Sequence, residues 1–176
     1  NPTTGASLPS MPQREMQYLN PEQIDELARA IDPRHRVWLY TMAWTGLRFG
    51  EAAALRRRNV DILRSELRIV ESATEVDGTI HCGSPKTNRH RTVHLPVFLR
   101  DMLNDHLTTV TDPDADALVF TSTDGTVMRR HNFGRRQWKP ATDAAGFKSL
   151  RMHDLRHTAA ALMISVNESP ETVKRQ

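Results

Sequence analysis

Apolar residues recur at helical spacing along most of the chain. The first stripe runs from Ile24 to Ile31, directly behind Asn20 and Pro21, which are typical of a helix start. Gly46 and Gly146 are expected to end later helices, and Pro140 to kink or break one. Further helices are predicted over about Arg34–Trp44, Gly50–Leu55, from Pro96 onward, Arg129–Ala145 and Asp154–Val166.

The pattern changes to short strands between the third and fourth predicted helices. Leu67 and Ile69 alternate with polar residues, and Thr79–Cys82 and Arg91–Leu95 have strand-like composition. These segments predict a small antiparallel three-stranded sheet packed with the helices. The expected fold is therefore α+β and mostly helical.

The two ends of the chain differ in character from its middle. Residues 1–17 are rich in Pro, Gly, Ser and Thr and are expected to form a linker or flexible lead-in, leaving 18–176 as the domain. Ser169-Pro170-Glu171 has the composition of a helix start, only a few residues before Gln176. A domain rarely ends on so short a helix, so we expect this domain to be incomplete at its C-terminus.

Composition narrows the class of protein. The chain has 176 residues, of which 38% are hydrophobic and 26% charged, as expected for one globular domain. Its one cysteine, Cys82, excludes an internal disulfide framework and fits a reducing compartment. No membrane span or signal peptide is apparent, so a cytoplasmic location is expected.

Charge is unevenly distributed along the second half of the chain. Residues 101–128 contain six acidic and no basic residues, whereas 129–157 contain eight Lys and Arg against two Asp. This asymmetry indicates an electropositive face and a polyanionic partner. A solvated basic helix is the alternative.

Three groups of basic residues are candidates for binding a phosphate. His153 and Arg156 lie three apart at a helix N-terminus, where free N–H groups and the helix dipole favour an anion. The alternative is that they cap the helix or pair with Asp154. Arg48 precedes Glu51, which can orient it, although Arg48 could instead bind the last carbonyls of a helix.

The third group is a polar hairpin around Lys86, which could equally be an ordinary exposed lysine. A separate run of three arginines, 56–58, is interpreted as a solvated helix end.

Together these segments resemble the catalytic domain of the tyrosine recombinases, also called phage integrases. The matching segments are Thr-Gly-Leu-Arg-x-Gly-Glu at 45–51, Lys-Thr at 86–87 with Arg-Thr-Val-His-Leu-Pro at 91–96, and His-Asp-Leu-Arg-His-Thr at 153–158. The resemblance extends from about Tyr18 to Gln176. Each segment alone is weak evidence, but the three in this order are specific.

The resemblance implies a role for each matching residue. Arg48 and Arg156 would bind the non-bridging oxygens of a scissile phosphate, Lys86 would protonate the leaving 5′ oxygen, and His153 would assist proton transfer. Glu51 and His157 would support them. The expected DNA-contacting residues are Arg89, Arg91, Arg129, Arg130, Arg135 and Arg136. The reaction would proceed through a 3′-phosphotyrosine without a metal or other cofactor, in a homo-oligomer on double-stranded DNA.

The chain also departs from the family pattern. The family's nucleophilic tyrosine follows the second arginine, but the tyrosines here are Tyr18 and Tyr40, which are interpreted as packing residues. We therefore expect this piece to be inactive alone and monomeric. Two alternatives remain: a non-catalytic DNA-binding or regulatory protein on the same scaffold, and, remotely, a zinc peptidase using His153 and His157.

Overall fold

The structure is a computed structural model that describes residues 17–84 and 90–165. The helices are α1 (Pro21–Ala30), α2 (Arg36–Thr45), α3 (Phe49–Ala53), α4 (Val97–Thr109), α5 (Arg130–Phe133), α6 (Lys139–Ala144) and α7 (Asp154–Ser165). The strands are β1 (Val60–Asp61), β2 (Glu66–Ile69), β3 (Ser72–Val76), β4 (Thr79–Gly83) and β5 (Arg91–His94). Most of the predicted lead-in, Lys86, Arg89, Val166 and the helix start at Ser169 lie outside the described residues.

The helices confirm the mostly helical α+β class, and local signals set their ends. The Asn20 side chain accepts the Gln23 N–H at 2.8 Å, and the Gln23 side chain accepts the Asn20 N–H at 3.0 Å, which caps α1. Gly46 ends α2 with φ of +63°, a left-handed conformation that costs a glycine little. Both predicted helix boundaries are confirmed.

A three-stranded antiparallel sheet is present, but one of its predicted members lies elsewhere. The strand order is β1-β2-β5, with Leu67 opposite Val93. The predicted strand at Thr79–Cys82 pairs instead with β3, in a separate two-stranded hairpin. Because most residues of β3 and β4 are exposed, the two strands lack the buried and exposed alternation that marks a strand in a sequence.

Aromatic side chains fix the elements that surround the candidate site. Trp38 of α2 is fully buried and contacts Phe49, Phe133 and Trp138, with ring centroids 4.5–6.3 Å apart. Such edge-to-face and tilted contacts add to the free energy gained by burial. Helix α7 packs against α2. The segments that carry Arg48 and Arg156 are therefore held by one core.

The predicted break at Pro140 takes the form of a π-helical turn over Gly134–Trp138, between α5 and α6. Proline has no N–H, so the carbonyl four residues earlier loses its helical partner. The turn widens, and the Lys139 N–H binds the Gly134 carbonyl, five residues back. Helical backbone thus continues past Pro140 until Gly146, where φ is +79°.

The interpretation of the three consecutive arginines as a solvated helix end is wrong. Arg57 donates to the Leu107 carbonyl at 2.6 Å, and Arg56 donates to the Asp116 carbonyl at 2.7 Å. Arg58 pairs with the Asp116 carboxylate. These side chains fasten a 3₁₀ turn at Arg57–Asn59 to the end of α4 and the loop that follows it.

The two tyrosines have different surroundings. The Tyr40 ring packs against the core, and its hydroxyl donates to Asp25 at 2.7 Å. Burial, together with the hydrogen bond to Asp25, raises the pKa of Tyr40 to about 12. Tyr18 is 66% exposed, so its interpretation as a packing residue is wrong.

Over residues 17–84 and 90–165, no helix combines the length and the apolar character needed to cross a membrane.

Candidate active site

A tight turn between α2 and α3 sets the position of Arg48. Gly46 reverses the chain in its left-handed conformation, and the buried Leu47 anchors the turn in the core. Arg48 is extended and precedes α3, and its N–H donates to the Glu51 carboxylate at 2.8 Å. The glutamate in the first turn of α3 thus caps that helix. The Arg48–Glu51 contact is local, since it joins residues three positions apart.

Glu51 binds two arginines although it is almost completely buried. Only 1% of its side chain is exposed. Arg91 donates to both carboxylate oxygens, at 2.9 and 2.8 Å, while Arg48 makes a single side-chain contact at 3.2 Å. Burial favours the neutral acid, but the hydrogen bonds from Arg91 and Arg48 outweigh it and lower the pKa of Glu51. Glu51 is therefore charged at neutral pH.

Arg156 joins this group from α7. Its Nη1 donates to the Gly46 carbonyl at 2.6 Å, so Arg156 takes the helix-end carbonyl that the alternative interpretation gave to Arg48. Burial, together with the positive charges of Arg48 and Arg91, lowers the pKa of Arg156, although a guanidinium remains protonated in proteins. Three arginines thus share the field of one carboxylate, which leaves an excess of positive charge.

His153 lies on the solvent side of the same group. Its ring is nearly perpendicular to that of His157, with the centroids 5.4 Å apart. Burial and the neighbouring charges of His157, Arg156 and Arg130 lower the pKa of His153, so it is neutral at pH 7. A neutral imidazole can accept a proton or donate one, depending on its tautomer.

Asp154 binds Arg151, and not His153 or Arg156 as the alternative interpretation had it. It is 2% exposed, and it accepts the Arg151 N–H at 2.8 Å and the Arg151 guanidinium at 2.7 Å. Its carboxylate therefore holds the turn before α7 in place. Neither His153 nor Arg156 forms an ion pair with it, so both remain available to a ligand.

Arg48 and His153 line an open groove of about 480 Å³. Its charged and titratable lining residues are Arg48, Arg130, His153 and Glu75, and the Glu75 carboxylate pairs with Arg129. Its apolar lining consists of Met42, Leu47, Phe49, Ile80, Met128 and Met152. The groove thus combines two arginines with apolar side chains, and Arg129 compensates its one carboxylate, which suits a ligand that carries both phosphate and apolar surface.

Gly50 allows one wall of this groove to form. A Cβ at this position would lie 2.4 Å from the Ala73 carbonyl oxygen and 2.7 Å from the Ser72 hydroxyl. Real Cβ atoms do not approach backbone so closely. Helix α3 therefore packs directly on β3, and the β3–β4 hairpin is fixed relative to Arg48.

The predicted DNA-contacting arginines fall into two groups. The side chains of Arg130, Arg135 and Arg136 are exposed and form no hydrogen bond or ion pair with any residue the structure describes. Arg91 is directed inward, and both of its terminal nitrogens bind the buried Glu51 carboxylate. Arg129 is also held within the protein, by Glu75 and by the Gly78 carbonyl at 2.7 Å. Sequence reasoning missed both protein partners because each lies far away along the chain.

The described residues do not bring together three or more His, Cys, Asp or Glu side chains that could hold a metal ion. The cationic Arg156 directly precedes His157, and its charge also acts on His153. This arrangement gives no support to a zinc site there.

Comparisons with known proteins agree with this geometry. Residues 17–176 match the sequence model of the phage integrase family. The chain is 34% identical over 155 residues to the integrase of Mycobacterium phage D29, covering 85% of this chain and 41% of that protein. It is 27% identical over 188 residues to the ICEBs1 integrase of Bacillus subtilis, covering 100% and 50% respectively. The chain thus spans about two fifths to one half of these curated relatives.

Solved structures share the fold. The Tn1549 transposon integrase, in complex with a circular intermediate DNA, superposes with a TM-score of 0.80 at 16% identity, over 94% of this chain and 59% of that one. The XerA recombinase superposes with a TM-score of 0.71 at 21% identity, over 93% and 56%. At these identities the likeness establishes the fold.

Proposed function

Because the chain belongs to the phage integrase family, we propose that it supplies the phosphate-binding part of a tyrosine recombinase that breaks and rejoins double-stranded DNA. The observation that carries the proposal is the grouping of Arg48, Arg91 and Arg156 around the single carboxylate of Glu51. Such an excess of fixed positive charge suits one phosphodiester. The family membership and the open groove beside Arg48 support the same assignment.

Arg48 and Arg156 are proposed to bind the non-bridging oxygens of the scissile phosphate. Each is already fixed by one protein contact, to Glu51 or to the Gly46 carbonyl, and retains further donors. When a nucleophile attacks phosphorus, negative charge grows on these oxygens. Prepositioned guanidinium groups stabilise that charge without having to reorganise.

Proton transfer is proposed to involve His153 and Lys86. The lowered pKa of His153 leaves it neutral near pH 7, where it can exchange a proton with the phosphate or the attacking group. Lys86, which lies outside the described residues, is proposed to protonate the departing 5′ oxygen. The tyrosine oxygen forms a bond to phosphorus as the bond to the 5′ oxygen breaks, which leaves a 3′-phosphotyrosine and a 5′-hydroxyl.

The proposal assigns the nucleophile to neither tyrosine of this chain. The Tyr40 hydroxyl is held by Asp25, and its raised pKa, about 12, works against formation of a phenolate. Tyr18 precedes α1 and is exposed. The nucleophile is therefore proposed to be a tyrosine in an extended form of the chain, as the resemblance to the family implies.

DNA is proposed to run over the exposed face of the stretch from α5 to α6. Arg130, Arg135 and Arg136 lie there without protein partners among the described residues, as expected of side chains that contact backbone phosphates. On DNA, a homo-oligomer would align several such sites. A substrate of this kind agrees with the cytoplasmic location expected from the sequence.

A covalent-adduct assay tests the proposal. Labelled duplex DNA with a nick that traps the intermediate is incubated with this 176-residue chain, and with a chain extended to the length of its relatives. We expect an adduct on a denaturing gel from the extended chain only, and none after its added tyrosine is changed to Phe. An adduct from the short chain that disappears with Tyr40→Phe or Tyr18→Phe would overturn the assignment of the nucleophile.

A further inference from the structure

We propose that Arg91 is a positioning residue, which holds Glu51 so that Arg48 stays free to bind phosphate. The inference rests on the proposed function, since it concerns how one arginine of that site is kept available. It assigns Arg91 to the interior of the protein, in place of the DNA contact expected from the sequence.

The hydrogen bonds around Glu51 are unequal. Arg91 uses both terminal nitrogens on both carboxylate oxygens, at 2.9 and 2.8 Å, which is the strongest arrangement of this ion pair. The Arg48 backbone N–H takes a further position on the same carboxylate at 2.8 Å. Among the residues that the structure describes, the Arg48 guanidinium is left with one contact, to Glu51 at 3.2 Å. Most of its donors have no partner within residues 17–84 and 90–165.

Arg91 is also more deeply buried than Arg48. The Arg91 side chain is 14% exposed, whereas the Arg48 side chain is 38% exposed. In β5, Arg91 alternates with the exposed Thr92 and lies on the same face as the fully buried Val93. Strand register thus directs Arg91 into the core, and DNA cannot replace Glu51 as its partner without unpacking the sheet.

The charges explain why two arginines are needed. A buried carboxylate requires a compensating cation. If Arg91 were absent, Glu51 would have Arg48 as its remaining hydrogen-bonded cation, and the two would form the bidentate pair themselves. Arg48 would then be neutralised and turned away from the groove. Because Arg91 already compensates the charge of Glu51, the charge of Arg48 remains available to a phosphate.

A double-mutant cycle in the extended chain tests this coupling. We expect Arg91→Met to slow single-turnover DNA cleavage roughly tenfold or more, because Arg48 becomes bound to Glu51. Adding Glu51→Gln should restore much of the rate, since a neutral amide cannot hold Arg48 as a carboxylate does. DNA affinity should change little in either variant. Rate losses that simply multiply in the double variant, or an affinity loss equal to the rate loss, would overturn the proposal.

A second readout does not depend on DNA cleavage. In this 176-residue chain, NMR of the arginine Nε and Cζ nuclei reports how freely the Arg48 guanidinium rotates. We expect slower rotation of Arg48 in Arg91→Met and recovery in Arg91→Met with Glu51→Gln, while Arg58 is unchanged as an internal control. Unaltered Arg48 rotation in Arg91→Met would refute the positioning role.

The two readouts separate the two proposals. Failure of the extended wild-type chain to cleave DNA would count against the proposed function, whereas the NMR comparison would still decide the role of Arg91. If Arg91→Met does not fold, Arg91→Lys replaces it in both experiments. Lysine keeps the charge but loses the bidentate geometry, so it should slow Arg48 rotation less, in the same direction. No change with Lys, in a protein that remains folded, would also refute the proposal.

Discussion

Two arginine clusters differ in the number and the burial of their acidic partners. At the candidate site, Arg48, Arg91 and Arg156 share one buried carboxylate. In the run at 56–58, two carboxylates, Glu71 and Asp116, and two backbone carbonyls bind three arginines at the surface. The first cluster has three arginines for one carboxylate and the second has three for two, so the first keeps the larger excess of positive charge.

The difference shows that an arginine's role depends on the number and burial of its partners more than on local sequence. Surface ion pairs such as those at 56–58 contribute little free energy each. A buried carboxylate shared by several arginines is sensitive to the loss of any member. The cluster at 56–58 therefore attaches a turn to neighbouring segments, while the buried cluster keeps positive charge that its one carboxylate does not neutralise.

The largest expected difference between the clusters is in stability. Glu51→Ala leaves Arg91 buried without its carboxylate and should lower the free energy of unfolding by about 3–5 kcal/mol. Glu71→Ala, at the surface cluster, should cost about 1 kcal/mol or less. Urea denaturation of both variants measures the two values. Equal losses would show that the clusters do not differ in the way described.

Substitutions in the two clusters should also differ in their effect on the rate of DNA strand cleavage. In the extended chain, Arg48→Ala or Arg156→Ala should raise the barrier to strand cleavage by about 3 kcal/mol, roughly a hundredfold in rate. Lysine should rescue poorly at either position, because it lacks the planar fork of donors. Arg58→Ala is the matched control and should cleave normally. Near-normal cleavage by folded Arg48→Ala and Arg156→Ala variants would remove the assigned roles.

Lowering the pH should destabilise the buried cluster, because Glu51 becomes protonated. Its pKa is lowered in the folded protein, so it contributes stability above the ordinary glutamate value of about 4.3, and that contribution is lost as pH falls through and below this value. Glu51→Gln should flatten this part of the stability curve. Glu71→Gln, which leaves Glu51 and its partners in place, should not. Thermal melts from pH 3 to pH 7, roughly the range in which Glu titrates, test both expectations.

The smallest effect is expected in DNA binding. Replacing both Arg135 and Arg136 with Ala should reduce the slope of log affinity against log salt by roughly 2, if each contacts one phosphate. Arg58→Ala should leave the slope unchanged, because its charge is already paired with protein carboxylates. Titrations of duplex DNA at several salt concentrations provide the slopes. An equal change in both proteins would indicate that charge alone, without regard to pairing, attracts DNA.

Signals that act over a few residues could be read from the sequence. The cap at Asn20, the helix end at Gly46 and the Arg48–Glu51 pair each depend on residues within four positions of one another. The grouping of Arg48 with Arg156, by contrast, came from the resemblance to a family. Local chemistry alone left a helix-end role for Arg48 open, and the structure assigns that role to Arg156.

Features that depend on distant partners could not be predicted. Arg91 meets Glu51 across 40 residues, and nothing beside Arg91 in the sequence distinguishes it from an exposed hairpin arginine. The pairing of β4 with β3 was missed because both strands are mostly exposed, so hydrophobic alternation does not mark them. The π-helical turn before Pro140 could be predicted as a break but not in its form, because several backbone adjustments satisfy the lost hydrogen bond equally well.

The hydrogen bond from Arg156 to the Gly46 carbonyl also has a consequence for synthesis. It joins residues 110 positions apart, and the bond from the Leu19 N–H to Thr158 joins residues 139 apart. A ribosome adds roughly 5–20 residues per second, so Gly46 precedes its partner by roughly 5–20 seconds. During that interval Arg48 and Glu51 can pair locally, but α7 does not yet exist. The contact between Arg156 and the Gly46 carbonyl therefore cannot form until α7 has been synthesised, although the Arg48–Glu51 contact needs no residue beyond α3.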